Sequence, residues 1–207
     1  MNEKFLNLRE EKKESILQAA ISEFAQEGYD RASTDNIVVK AKISKGSLFN
    51  YFINKQGLYE DIVNYIIAKA QKEVVEEFTK IKEEDFYGRL KRLLVIKHDY
   101  TMRYPLEAKV LKDYINANST RDNAIVRKYR EIEQALLQRH LITYLNIEEI
   151  RPGLTVEDVL FVTNTLLQAV LKRQDELASF DQTAGTKEVV EKELDKYIYL
   201  LKYGMYK

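Results

Sequence analysis

The sequence predicts an all-α protein: an N-terminal three-helix domain carrying a helix-turn-helix, followed by a larger C-terminal helical domain. Three observations lead there. Only two prolines and seven glycines interrupt 207 residues, and helix-favouring Leu, Glu, Lys and Ala are abundant between them. Apolar residues recur at intervals of three and four, the period of a helix face. The composition, 45% hydrophobic and 32% charged, supplies a core and is too apolar for a disordered chain.

The first amphipathic stretch runs from Glu10 to Glu27. It places Ile16, Leu17, Ala20, Ile21, Phe24 and Ala25 on one face, and Gly28 follows where a C-terminal cap belongs. Ser33 is a good N-cap for a second helix, because its oxygen accepts a first-turn N–H; Asp35 in that turn suits the positive end of the helix dipole. This helix reaches about Ala41 and turns Ile37, Val38 and Ala41 inward. Ser44 caps a third helix, Lys45 to about Phe52, with Leu48 and Phe52 facing in. Asn54 opens a long fourth helix through Leu58, Ile62, Tyr65 and Ile66 to Phe78. Further helices are expected from Asp85 to Arg103, from Pro105 at a first helical turn to about Ala117, and from an Asn123 cap to Leu145. Pro152-Gly153 signals a turn. Thr155-Val156-Glu157-Asp158 reads as a capping box with Asp in place of the usual Glu or Gln, and its helix reaches about Leu177. A loop at 179–185 precedes the last helix, from Thr186 to about Gly204. The domain boundary falls between residues 54 and 55, giving a head at 1–54 and a larger domain at 55–207.

Formal net charge is zero, so the overall field points to no particular partner. Locally, no acidic residue lies between Asp35 and Glu60, while Lys40, Lys42, Lys45 and Lys55 all do. Two short helices joined by a tight turn, the second flanked by lysines, have the layout of a helix-turn-helix. In such motifs the start of the second helix enters the DNA major groove, and the small or polar side chains of Lys45, Gly46, Ser47, Phe49 and Asn50 suit that approach.

The run Ser44-Lys45-Gly46-Ser47-Leu48-Phe49-Asn50-Tyr51-Phe52-Ile53-Asn54-Lys55 resembles the signature of the tetracycline-repressor (TetR) family. The likeness extends back through Phe24, Gly28, Tyr29, Ser33 and Ile37 and forward to Leu58. The resemblance implies an operator-binding head and a C-terminal domain that binds a small effector and dimerises. It implies that Ser33 caps its helix beside a phosphate, that Lys45, Gly46, Ser47 and Asn50 face the major groove, that Phe49 and Tyr51 lie on the sugar-phosphate backbone, and that Lys55 pairs with a phosphate. Ser44 and Lys42 join this set as cap and turn. Phosphate contacts set register and base contacts set sequence, so Ser47 and Asn50 are expected to specify and Lys55 to anchor. Three positions depart from the family pattern. Lys42 stands where a turn glycine is usual, with a positive φ costing about 1 kcal/mol. Phe49 lacks the hydroxyl of the common Tyr, and Asp35 would repel nearby phosphate.

Palindromic operators are read by symmetric dimers. The last two helices carry stripes that form a candidate seam: Leu160, Thr163, Leu167, Val170 and Leu171 on one, Val190, Leu194, Tyr197 and Leu201 on the other. Either stripe also suits the monomer core. Tyr87, Tyr100, Tyr104, Tyr114 and Tyr129 are candidates to line an effector pocket, since tyrosine supplies apolar surface and a polar anchor together; simple core packing is the competing reading for each.

The chain has no cysteine, which removes disulfides, thiolate zinc sites and cysteine nucleophiles. The charged residues 1–11 do not resemble a signal peptide, and no apolar run approaches the roughly 20 residues of a membrane span. The expected location is the cytoplasm. No phosphate loop, zinc-binding H-E-x-x-H or Ser-His-Asp spacing is present, and His98 and His140 lie far apart, so no enzyme, metal or cofactor is expected. The reading is a DNA-binding regulator, usually a repressor in the resembled family, released by an effector. The alternative is a helical ligand-binding or scaffold protein with weakened DNA binding.

Overall fold

The computed structural model describes residues 1–80, 82, 85–178 and 185–205. Among these the regular elements are helical: α1 (Glu3–Leu6), α2 (Glu10–Arg31), α3 (Thr34–Ala41), α4 (Lys45–Tyr51), α5 (Lys55–Phe78), α6 (Phe86–Arg103), α7 (Pro105–Asn118), α8 (Ala124–His140), α9 (Val156–Ala178) and α10 (Lys187–Met205). None of the described helices is long and apolar enough to cross a membrane. The expected loop at 179–185 lies outside the described residues except for Gly185.

Packing divides the chain into two compact units, one of residues 1–73 with 101–133, the other of 74–100 with 134–207. This division follows contacts and cuts within α5, α6 and α8, whereas the sequence boundary at 54/55 separates proposed roles.

In the first unit, α2 packs on both α3 and α7. Its apolar face, led by Ile16, Ile21 and Phe24, meets Ile37 of α3, Leu48 of α4, Leu58 and Ile62 of α5, and Val110 and Tyr114 of α7. Each such side chain contributes about 1.5–3 kcal/mol when taken out of water. Gly28 has a φ of +71° and breaks the helical path of α2 three residues before its end, which is why a glycine sits there. In the second unit, α9 packs on α10, and Leu93, Val159, Leu167, Val190, Leu194 and Leu201 share the interior.

The caps follow the sequence closely. Asn54 Oδ1 accepts from the Gly57 N–H at 2.8 Å. At α9, Thr155 N–H donates to Asp158 Oδ2 at 2.8 Å and Asp158 N–H donates to Thr155 Oγ1 at 3.1 Å, so aspartate closes the reciprocal box. α8 ends earlier than its periodicity implies. After His140 the chain tightens into two 3-10 turns, Ile142–Tyr144 and Ile147–Glu149, which allow Leu141, Leu145 and Ile150 all to be buried. Arg89 Nε donates to the His140 carbonyl at 2.9 Å, satisfying a helix-end acceptor. His98 is also structural: its buried Nε2 lies 2.8 Å from the Gly185 carbonyl oxygen.

Candidate nucleic-acid interface

The interface is built from α3, α4 and the turn between them. Ser33 Oγ accepts from the Asn36 N–H at the start of α3. Beneath it lies Glu23, only 2% exposed, which accepts from the Ser33 N–H at 3.0 Å, from Asn36 Nδ2 at 2.9 Å and from Lys40 Nζ at 3.0 Å. Burial opposes charge on this carboxyl, but the Ser33 backbone, the Asn36 amide and the Lys40 ammonium outweigh it and hold its pKa below the ordinary value. One glutamate from α2 thus fixes both ends of α3. Sequence reasoning missed it, because nothing in the local pattern separates Glu23 from a surface glutamate.

The turn is closed by Lys42, whose φ of 52° and ψ of 51° are left-handed. It is the one non-glycine residue with positive φ among those described. Ile43 N–H donates to the Val38 carbonyl at 3.0 Å, and Lys12 Nζ donates to the carbonyls of Ala41 and Lys42 at 3.2 and 2.9 Å. These bonds hold the lysine in a conformation that a glycine would adopt without cost. Its side chain is exposed.

Ser44 Oγ then accepts from the Ser47 N–H at 3.0 Å and caps α4. Leu48 and Phe52 point inward and are fully buried. Lys45, Gly46, Phe49 and Asn50 are exposed and Ser47 half-exposed, so the residues expected to read DNA share the outer face of one short helix. A Cβ added at Gly46 would meet only Ser44 Oγ, at 3.9 Å, so packing within the chain does not require glycine here.

Two lysines of the basic stretch are countered from within the fold. Lys45 pairs with Asp35 at 2.8 Å and Lys40 with Glu23. The Lys45–Asp35 pair is exposed on both sides, and such pairs are worth about 0–1 kcal/mol, so a phosphate competes readily for this lysine. Lys55 Nζ donates to the Asp30 carbonyl at 3.0 Å and lies 5.0 Å from the centre of the Tyr29 ring, leaving two of its three donors for other acceptors. Tyr51 is half-buried and packs edge-on to Phe5 and Phe52.

The N-terminal segment adds a part that the sequence reading did not foresee. Phe5 of α1 is buried, with its ring centre 5.1 Å from that of Phe52. Asn2 Nδ2 donates to the Asn50 carbonyl at 2.7 Å, and Lys4 Nζ donates to Asn50 Oδ1 at 2.8 Å. A single phenylalanine among charged residues carries no periodic signal; its burial depends on tertiary packing.

The stripes proposed as a subunit seam lie in or against the interior of the second unit. Thr163, Leu167, Val170, Val190, Leu194 and Leu201 are all buried within the single chain, and Leu160, Leu171 and Tyr197 pack against the same interior. They form the core of their own unit and have little surface left for a partner. Among the described residues, the exposed large apolar side chains of these helices are Phe161, Val162, Leu177, Tyr199, Leu200 and Tyr203.

The five candidate pocket tyrosines are divided between the two units. Tyr87 and Tyr100 are buried in the second unit, while Tyr104, Tyr114 and Tyr129 belong to the first. Tyr114 OH accepts from Asn123 Nδ2 at 3.0 Å. Burial, with a smaller push from Glu133, raises the Tyr129 hydroxyl to about 12. The Tyr104 ring lies 3.6 Å from Lys69 Nζ, which pairs at 2.8 Å with the buried Glu107.

Residues 16–62, from α2 into α5, match the model of bacterial regulatory proteins of the tetR family. The chain is 26% identical over 142 residues to the uncharacterized HTH-type transcriptional regulator YuxN of Bacillus subtilis; the match covers 66% of this chain and 46% of that protein. It is 29% identical over 134 residues to the HTH-type transcriptional regulator QacR of Staphylococcus aureus, covering 64% of this chain and 68% of QacR. The fold is similar to a TetR family transcriptional regulator from Chloroflexus aurantiacus, with a TM-score of 0.67 and 21% identity over 100% of this chain and 98% of that one. It is also similar to the ketosteroid transcriptional regulator KstR2 of Mycobacterium tuberculosis, with a TM-score of 0.62 and 15% identity over 97% of each chain. With the capped helix-turn-helix and its exposed outer face in place, residues 16–62 carry the N-terminal domain of the tetR family of bacterial regulatory proteins.

Proposed function

We propose that this protein is a cytoplasmic DNA-binding transcriptional regulator, a repressor whose homodimer grips a palindromic operator and is released by a small-molecule effector. The observation that carries this reading is the outer face of α4, where Gly46 and Asn50 stand exposed and Ser47 half-exposed beside Lys42 and Lys45, on a helix anchored by the buried Leu48 and Phe52. Ser47 and Asn50 read base edges. Lys42, Lys45 and Lys55 neutralise phosphates, and Ser33, Ser44, Phe49 and Tyr51 line the backbone path. A palindrome calls for two heads related by a two-fold axis. Of the exposed apolar side chains of α9 and α10, Phe161, Val162, Tyr199, Leu200 and Tyr203 are assigned to a second copy of the chain. An effector acts by binding better to the dimer geometry that misaligns the heads, and weakens DNA binding by that differential affinity.

The test is a binding titration on duplex DNA over a range of salt. The logarithm of affinity should fall linearly with the logarithm of salt, with a slope of about −0.9 per phosphate neutralised, and Lys42→Ala should reduce the slope by about one unit. Affinity for DNA that is undetectable at low salt, or independent of salt, would instead favour a helical scaffold or ligand-binding protein.

A further inference from the structure

Asn50 is the outermost amide on the reading face, and the surrounding atoms already constrain how it can read. An asparagine on its own suits adenine: its Oδ1 accepts from N6 while its Nδ2 donates to N7. Here Lys4 Nζ, 2.8 Å away, donates to Asn50 Oδ1. An ammonium has no acceptor capacity, so the atom facing Lys4 is the oxygen, which fixes the orientation of the amide. Asn50 Nδ2 is left as its free pole. The lysine is itself held in place. Its helix is pinned by the buried Phe5 against Phe52, by Asn2 Nδ2 donating to the Asn50 carbonyl at 2.7 Å, and by Asn2 Oδ1 capping the Phe5 N–H at 3.1 Å. Both Lys4 and Asn50 remain exposed.

We propose that Lys4 is a specificity-determining residue that converts Asn50 from an adenine reader to a guanine reader. The proposal rests on the DNA-reading function above. With the Lys4 ammonium set against one lone pair of Oδ1 and crowding the approach to the other, the pair presents two adjacent donors, Asn50 Nδ2 and the remaining N–H groups of Lys4. Guanine offers two adjacent acceptors, O6 and N7, in the major groove. Adenine offers one acceptor beside the N6 amino donor, which meets the ammonium unfavourably.

The experiment selects binding sites from a randomised duplex pool with the full-length protein and its Asn50→Ala, Lys4→Met, Lys4→Ala and Lys4→Arg variants. The base pair at which Asn50→Ala loses preference is the one Asn50 reads. There the wild type should favour guanine over adenine by about tenfold, within the range of a good two-bond contact. Lys4→Met and Lys4→Ala should both reverse that preference toward adenine, and Lys4→Arg should keep guanine. Unchanged thermal midpoints for the two neutral variants would show that the head remains folded. Adenine preferred by the wild type, guanine still preferred by both neutral variants, or no base pair affected by Asn50→Ala would overturn the role of Lys4 while leaving DNA binding intact. A wild type that enriches no sequence would sink the DNA-reading proposal, and this inference with it.

Discussion

The head and the C-terminal helix pair solve opposite problems. At α4 the buried side is narrow, Leu48 and the capping residue Phe52, while Lys45, Gly46, Phe49 and Asn50 face out. On α9 and α10 apolar residues occupy two sides. One is the interior of the unit, where Leu194 is 0% exposed; the other is open surface, where Leu200 is 61% exposed. A helix with one apolar stripe has a single way to pack, so its polar face is available for chemistry. A helix with two stripes must share them between its own core and something else. On the function proposed above, the first face serves DNA and the second a partner subunit.

The sharpest way to break this comparison is to substitute one leucine from each side of α10. Leu194→Ala should lower stability by about 3 kcal/mol, since a buried leucine loses both its burial and its packing, visible as a lower urea midpoint. Leu200→Asp should leave intramolecular packing nearly intact but raise the dimer dissociation constant at least tenfold, so that monomer persists to higher protein concentrations in sedimentation. If Leu200→Asp leaves association unchanged, the exposed stripe is not the subunit seam.

Next in size is Glu23, the buried acceptor of the head. Glu23→Ala should cost about 2–3 kcal/mol, because the Ser33 N–H and the Asn36 amide lose their partner. The same carboxyl gives the head a pH signature. Its folded pKa is depressed, so its contribution is present above the ordinary carboxylate pKa and is lost as pH falls through the lower folded value. Acid titration of unfolding should therefore show a loss of stability in the wild type that is smaller in Glu23→Gln.

A smaller effect of opposite sign is expected at the turn. Lys42→Gly relieves a left-handed lysine and should raise stability by about 1 kcal/mol, while removing a phosphate contact and flattening the salt slope of DNA binding by about 0.9. A gain in stability with an unchanged slope would take Lys42 out of the interface.

Much of the head was legible in the sequence because its instructions are local. Ser33, Ser44 and Asn54 announce their caps by residue type and position, Gly28 marks a break, and Lys42 stands where a left-handed residue is needed. Glu23 and α1 were not legible, since a buried carboxylate or a lone Phe5 becomes distinctive only when distant residues close around it. The C-terminal stripes show a different limit. Periodicity sets Leu194 and Leu201 on one face of α10 and leaves Leu200 off it, but it does not say whether that face is covered by the chain's own core or by a second copy. For the pocket tyrosines, residue type alone does not say which of them come together in space.

The most direct test of α4 as the reading helix compares affinity for a selected duplex and for a scrambled one of the same length and composition, at fixed salt, using the wild type and a Ser47→Ala/Asn50→Ala double variant. The wild type should prefer the selected duplex by about a thousandfold or more, and the double variant should lose most of that preference while still binding both. Equal affinity of the wild type for the two duplexes, or a double variant that discriminates as well as the wild type, would contradict the assignment.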